Sequence, residues 1–393
     1  MRIVYYYRHL DAPVGSGAHA TSLVREWRKA GNQVGCLPKP PGAVGRLDRS
    51  ASSTSRLLSA VPADVRHRLR FLQDSLRSVA EAPRLLNYVR SWRPDVFIAR
   101  RSHFDRTLDR LLDGVGCPIV AEVNGVHQSE WRLMLGEELP ASAVEREMAF
   151  LRRVDFSICV SAEVRQELLT LGLDPARCAV VPNGADCELF NPEAAWDEGL
   201  REWLRVRNGP LVAYCGSSSA VHDMECLLRA TVRLAERVPD SLFLFVGPLV
   251  AQVGELLKRA PRLATRVHVT GGVPHEKVPS FLAPADLLWA AYRNEYGSPL
   301  KAFEYMAMGK PSVTAGVGQA RQLLEASRSG IAVGIGRPGE LADAAARILS
   351  LPEDSRRALG SSARRWAVEN GSWSVTAATM LSLIRENVLE AHS

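Results

Sequence analysis

Lys301 and Glu304 stand three residues apart in "GSPLKAFEYMAMGKPSV". Serine is a good N-cap and proline suits the first helical position, so Ser298-Pro299 predicts a helix start, with Gly309 and Pro311 as its stop. A first-turn lysine opposes the helix dipole unless an anion sits at the helix start. Backbone N–H groups, dipole and ammonium would then converge on a phosphate. Glu304 shares that helical face and can accept hydrogen bonds from sugar hydroxyls. The pair describes a nucleotide-sugar site, with Lys301 and the helix start on a phosphate. The competing reading is a surface lysine beside a helix-stabilising glutamate.

A glycine pattern near the start raises a second phosphate question. In "VGSGAHA", Gly15, Gly17 and Ala20 fit G-x-G-x-x-G/A, the dinucleotide fingerprint. An NAD-dependent oxidoreductase would put that turn directly after the first strand and an acidic residue about 20 positions on. Here Arg8 to Val14 intervene, and the second strand ends in "GCLPKPP" without an acid. The loop therefore serves another phosphate-bearing ligand. Further candidates are Gly216, Ser217, Ser218 and His222 in "CGSSSAVH", Arg293 after "DLLWAAY", Asn124, His127 and Glu130 in "EVNGVHQSE", and Arg100-Arg101 at a strand end. Histidine can serve many roles. For His127 an ordinary loop position competes with contact to an acceptor. Arg100 and Arg101 read equally as partners of an anionic group or as sheet-edge residues.

These residues need elements to hold them. Short apolar strands alternate with amphipathic helical stretches throughout, the pattern of parallel α/β architecture. "MRIVYYY", "PDVFIAR", "CPIVAEV", "VDFSICV" and "CAVVP" form one series. "GPLVAYCG", "SLFLFVG", "RVHVTGG", "DLLWAAY" and "PSVTAG" form another. Leu23, Val24, Trp27 and Ala30 mark one face of a helix after the glycine loop, stopped by Gly31. Ser161 caps a helix that ends at Gly172. The expected layout is two Rossmann-like domains facing across a cleft. Residues 1–187 form the first and 188–373 the second, and the helix 374–393 packs back on the first. Ligand would lie at the carboxyl strand ends between them.

Composition narrows the class. With 393 residues, 46% hydrophobic and 23% charged, the chain reads as a two-domain soluble protein. Seven scattered cysteines without a CxxC pair favour reduced thiols and a cytoplasmic setting, and no apolar run long enough to span a membrane occurs. The net charge of +6 is matched by one stretch, Arg46 to Arg93, with ten arginines against four acids. That stretch reads either as a solvated surface or as a face for an anionic acceptor or a peripheral membrane contact. Nucleic acid is not implied, for want of a binding motif and interleaved aromatics.

The motifs taken in order resemble retaining glycosyltransferase family 4 within the two-Rossmann (GT-B) fold. "SPLKAFEYMAMGKPSV" is similar to its C-terminal signature, "VVPNGADCELFNP" to its interdomain segment, and "VAYCGSSSAVHDMECLL" to the start of its donor domain. "PDVFIARRSHFD" and "PIVAEVNGVHQSEW" resemble first-domain strands of one branch, and the similarity runs from about residue 1 to 375. The resemblance implies sugar transfer from a UDP- or GDP-sugar to a small-molecule, lipid-linked or glycan acceptor, with retention of configuration. It implies no metal and no cofactor beyond the nucleoside diphosphate sugar as co-substrate. Attack would come from the front face, with the leaving phosphate helping to take the acceptor proton.

Carried over, Glu304 matches the second glutamate of the family's E-x7-E element, which holds ribose. Lys301, Gly297 and Ser298 match its diphosphate turn, and Gly15, Gly17 and Gly216 match its two glycine loops. Asn124, His127 and Glu130 would orient the acceptor. Three departures stand out. Tyr296 occupies the first glutamate position, with Glu295 displaced by one. Ser217 and His222 replace the usual Arg and Lys, leaving charge stabilisation to His222, Lys301 and Arg293. Asn124 stands at the first-domain histidine position. Branches with "EVN" and "SPLK" wording share several of these changes, which marks a subtype. The alternative is a non-catalytic sugar-nucleotide-binding protein or partner subunit.

Overall fold

The computed structural model describes residues 1–8, 10, 15–38, 63–102, 105–294 and 297–390. Arg46, Arg49 and Arg56 of the basic stretch, with Glu295 and Tyr296, lie outside them. Two six-stranded parallel sheets account for the architecture. The first contains β1 (Arg2–Tyr7), β2 (Gln33–Leu37), β3 (Val96–Arg100), β4 (Ile119–Val123), β5 (Phe156–Cys159) and β6 (Cys178–Val180), in the order β2-β1-β3-β4-β5-β6. The second contains β7 (Leu211–Cys215), β8 (Leu242–Val246), β9 (Val267–Val269), β10 (Leu287–Ala291), β11 (Ser312–Ala315) and β12 (Gly330–Val333), in the order β12-β11-β10-β7-β8-β9.

Strands such as "LFLFV" and "IVAEV" are buried along their whole length. Crossover helices cover both faces of a parallel sheet, which demands near-continuous apolar runs. Each sheet reverses its winding once, between β1 and β3 and between β7 and β10. The carboxyl ends at such a reversal diverge and leave a crevice, where ligands bind in doubly wound sheets. The strand ends there carry Tyr7 and Arg100 in one half and Cys215 and Ala291 in the other.

Several local expectations hold. Ser161 accepts from the Val164 amide, and Gly31, Gly172 and Gly309 end their helices at positive φ. Others shift. The helix Gly15–Lys29 starts at the glycine pattern itself, so that pattern is a first helical turn, and Ala20 is buried on its core face while Ala30 is exposed. Strand β12 was not anticipated, because "GIAV" is only half-buried at a sheet edge. The helix Trp373–Ile384 packs against Gly15–Lys29, setting Trp373, Ala377, Met380 and Ile384 into the first half's core. The chain crosses back at Ala185, which exchanges backbone hydrogen bonds with Gly371 and Trp373. Gly184 is needed at this crossing, since a Cβ there would lie 2.7 Å from the Ser372 carbonyl carbon.

Candidate functional site

One cleft of about 1420 Å³ runs between the carboxyl ends of the two sheets. Its second-half wall centres on Lys301. The helix Leu300–Ala307 begins one residue later than expected, with Pro299 at the cap, so Lys301 is its second residue. The residue is 9% exposed, and its ammonium lies over the Tyr214 and Tyr292 rings at 5.0 and 5.9 Å. Burial lowers its pKa to about 8, with Cys215 and Glu304 pulling the other way. Gly216 makes room for it, because a Cβ there would lie 2.7 Å from Lys301 Nζ.

His222 fixes the same ammonium. Its Nδ1 sits 2.9 Å from the Ser217 carbonyl, an acceptor only, so Nδ1 carries the proton. Nε2 is left as the lone pair that accepts from Lys301 Nζ at 2.6 Å. Burial first, and then Lys301, lower the His222 pKa to about 3. His222 is therefore a neutral positioning group, and the charge expected of it rests on Lys301. Tyr292 backs this corner, and its buried hydroxyl has no partner among the described residues.

Glu304 also lines the cleft, but it pairs with His275 Nε2 at 2.8 Å instead of with Lys301. That hydrogen bond is the main reason the His275 pKa rises. Ser298 is no N-cap. Its hydroxyl accepts from the Asn183 backbone amide and its carbonyl accepts from Asn183 Nδ2, both at 2.9 Å. The Gly297-Ser298 turn is thereby pinned to the segment joining the halves. Gly297, at φ +96°, completes the turn.

The first-half wall is built around Glu122, 4% exposed at β4. It accepts from Tyr5 Oη at 2.7 Å, Asn124 Nδ2 at 2.7 Å and His19 Nε2 at 2.8 Å, with Arg100 Nη1 3.7 Å away. Burial pushes its pKa up, yet His19, Arg100 and Asn124 outweigh this and hold it at about 2. Gly17, Arg100, Asn124 and Glu130 line the cleft as expected.

Four expected residues lie elsewhere. The His127 backbone amide donates to Glu147 and its ring nitrogen lies 3.5 Å from that carboxylate, away from the cleft. Arg101, one residue past β3, turns away from Arg100: Arg100 lies over the Tyr7 ring, whereas Arg101 lies over Phe150 and binds Asp109 at 2.7 Å. Arg293 is half-exposed beside Asp223 and outside the cleft lining, and Ser218 is exposed. Gly15 opens its helix. Sequence reasoning missed Asn183, His275, Tyr292, His19 and Glu122. Four of these, all but His275, fell inside quoted motifs, but nothing local said what they would meet.

Similarity to known proteins runs along most of the chain. A profile described as Glycosyltransferase Family 4 matches residues 13–189, and one described as Glycosyl transferases group 1 matches residues 209–351. The alpha-D-kanosaminyltransferase of Streptomyces kanamyceticus is 33% identical over 39% of this chain and 40% of its own length. The GDP-mannose-dependent alpha-(1-6)-phosphatidylinositol monomannoside mannosyltransferase of Mycobacterium tuberculosis is 24% identical over 64% of this chain and 68% of its own. The match thus spans about two fifths of the first relative and two thirds of the second. Anabaena HepE in complex with UDP and glucose superposes over 98% of this chain and all of its own, with a TM-score of 0.71 at 18% identity.

Proposed function

The chain belongs to the family-4-like glycosyltransferases of GT-B architecture, and on that premise we propose that it moves a sugar from a nucleoside diphosphate sugar to an acceptor, with retention of anomeric configuration. The observation that carries this reading is the buried Lys301 ammonium at a helix start, held by His222 inside the interdomain cleft. A lysine buried without a carboxylate in direct contact is costly unless an anion visits it. As the bond from the anomeric carbon to the phosphate breaks, negative charge grows on the diphosphate, and a preorganised cation with helix amides stabilises it most. Glu304 would accept from the ribose hydroxyls, as its position in the family element implies. The relatives and neighbours name both GDP-mannose and UDP, so both bases belong in the proposal. Asn124, Arg100 and Glu130 line the acceptor side.

A thermal-shift panel of UDP, GDP, ADP and NAD, followed by donor turnover with the preferred base, tests this. Stabilisation by one nucleoside diphosphate and release of that nucleotide from its sugar are expected. A response to NAD alone would sink it. Tight nucleotide binding without turnover of any donor would favour a non-catalytic binder, the reading that the neutral Ser217 and His222 motivate.

A further inference from the structure

His19 stands in the cleft wall opposite Lys301, four residues into the helix Gly15–Lys29, and the nucleotide-binding residues above have no use for it. Its ring is fixed on two sides. Nε2 meets the Glu122 carboxylate at 2.8 Å, and the Trp373 ring lies 4.8 Å away, centroid to centroid. Glu122 is itself held ionised by three further donors or cations, Tyr5, Asn124 and Arg100. An ionised carboxylate can only accept, so Nε2 must carry the proton. Burial disfavours a second proton on the ring. The neutral imidazole then has one unshared pair, on Nδ1, and no described residue bonds to it. A ring pinned this firmly, on a cleft wall, with one lone pair unused, is a site for a hydrogen-bond donor.

We propose that His19, oriented by Glu122 and Trp373, accepts a hydrogen bond from the attacking hydroxyl of the acceptor, so that this subsite takes a polyol or sugar hydroxyl and not an anionic group. The inference rests on the transferase reading. Its chemistry is positioning. The lone pair aims the acceptor O–H, so an oxygen pair points toward the anomeric carbon, and the proton's final destination stays with the departing phosphate. Water can occupy the same place, so donor hydrolysis depends on His19 as transfer to a sugar does. An anionic nucleophile would find no donor at Nδ1 and would meet the Glu122 charge behind it.

The test uses His19→Gln, whose amide can still donate to Glu122 and so avoids stranding a buried carboxylate, with His19→Ala beside it. Turnover of UDP-glucose and GDP-mannose is measured with water, and with myo-inositol or glucose as probe acceptors. Affinity for UDP and GDP is measured separately. Expected are nucleotide affinity within twofold of wild type and a loss in turnover of about 100-fold, borne by kcat. Nitrogen-15 NMR of wild-type His19 gives a readout independent of turnover, a neutral ring protonated at Nε2 and bare at Nδ1. Turnover within threefold of wild type in the folded His19→Gln protein, or a proton found on Nδ1, would overturn the proposal. A wild-type protein that binds no nucleoside diphosphate would instead overturn the transferase reading, leaving the ring's protonation state as the test of His19.

Discussion

Replacing Lys301 by methionine keeps most of the side chain's volume over Tyr214 and Tyr292 and removes only the charge. The burial that makes this ammonium costly without an anionic partner makes it effective beside a diphosphate, because little water screens it. Loss of one preorganised donor to a developing oxyanion costs about 100- to 1000-fold in kcat. A buried cation belongs at the upper end, about 4 kcal/mol in kcat/KM. The fold should survive, since methionine relieves the desolvation that lowers the lysine to about 8. The same shift sets a pH signature. With the protonated lysine as the proposed phosphate partner, kcat/KM, which reports the free enzyme, should be level below about 8 and fall above it. In the complex the phosphate raises the lysine again, so kcat should hold to higher pH. Both are read by nucleoside diphosphate release over pH 6 to 10. A Lys301→Met protein within threefold of wild-type kcat/KM, or a wild-type kcat/KM that stays flat to pH 10, would refute the placement of the phosphate at this lysine.

Glu304→Ala should weaken nucleotide binding, about 10-fold for a lost charge-assisted hydrogen bond. NMR titration should also show the His275 pKa fall as its carboxylate partner disappears; an unmoved affinity would argue against a ribose contact. Gly216→Ala drives a Cβ to within 2.7 Å of Lys301 Nζ, so donor turnover should drop by at least about 10-fold as the ammonium is displaced; wild-type turnover would mean the lysine tolerates another position. Asn183→Ala removes the side-chain hydrogen bond to the Ser298 carbonyl and keeps the backbone one; it should cost about 1 kcal/mol, seen by calorimetry as a lower Tm. An unchanged Tm would place that contact outside the stability of the native state. Acid sensitivity should follow from the first-half wall. Glu122, lowered to about 2, stabilises the fold above its ordinary range and loses that as pH falls, and His19, also lowered, resists protonation in the same direction. Thermal stability should decline below about pH 6.5, less steeply in His19→Gln. Parallel declines would show that His19 contributes nothing to it.

The parallel sheets were legible because two rows of apolar strands alternate with helices, and single residues such as Gly31, Ser161 and Gly172 mark boundaries by local rules. Lys301 was legible for a similar reason, a cation where the dipole disfavours one. What the local pattern did not carry is pairing across the chain. Glu304 looked like a partner for Lys301 on spacing alone, yet His275, brought in from the loop after β9, takes its carboxylate. His19 and Glu122 lie 103 positions apart, and only the adjacency of β1, β3 and β4 and the helix above them makes them neighbours. The departures of Arg101 and His127 have the same origin. The Asp109 and Glu147 contacts decide where each points, and neither contact is visible in the motif that contains the residue.

The return of residues 373–384 onto the first half has a consequence for how the molecule comes into being. Trp373 completes the wall behind His19, and Met380, Leu381 and Ile384 fill the same core as Tyr5 and Trp27. On the ribosome the first half emerges long before these side chains exist, so it must wait, with that apolar surface open, until the second half has been synthesised. Domains of a growing chain commonly fold one at a time from the N-terminus. Here the half made first is finished last, and the cleft cannot acquire its His19 wall before the helix that follows residue 372 has docked.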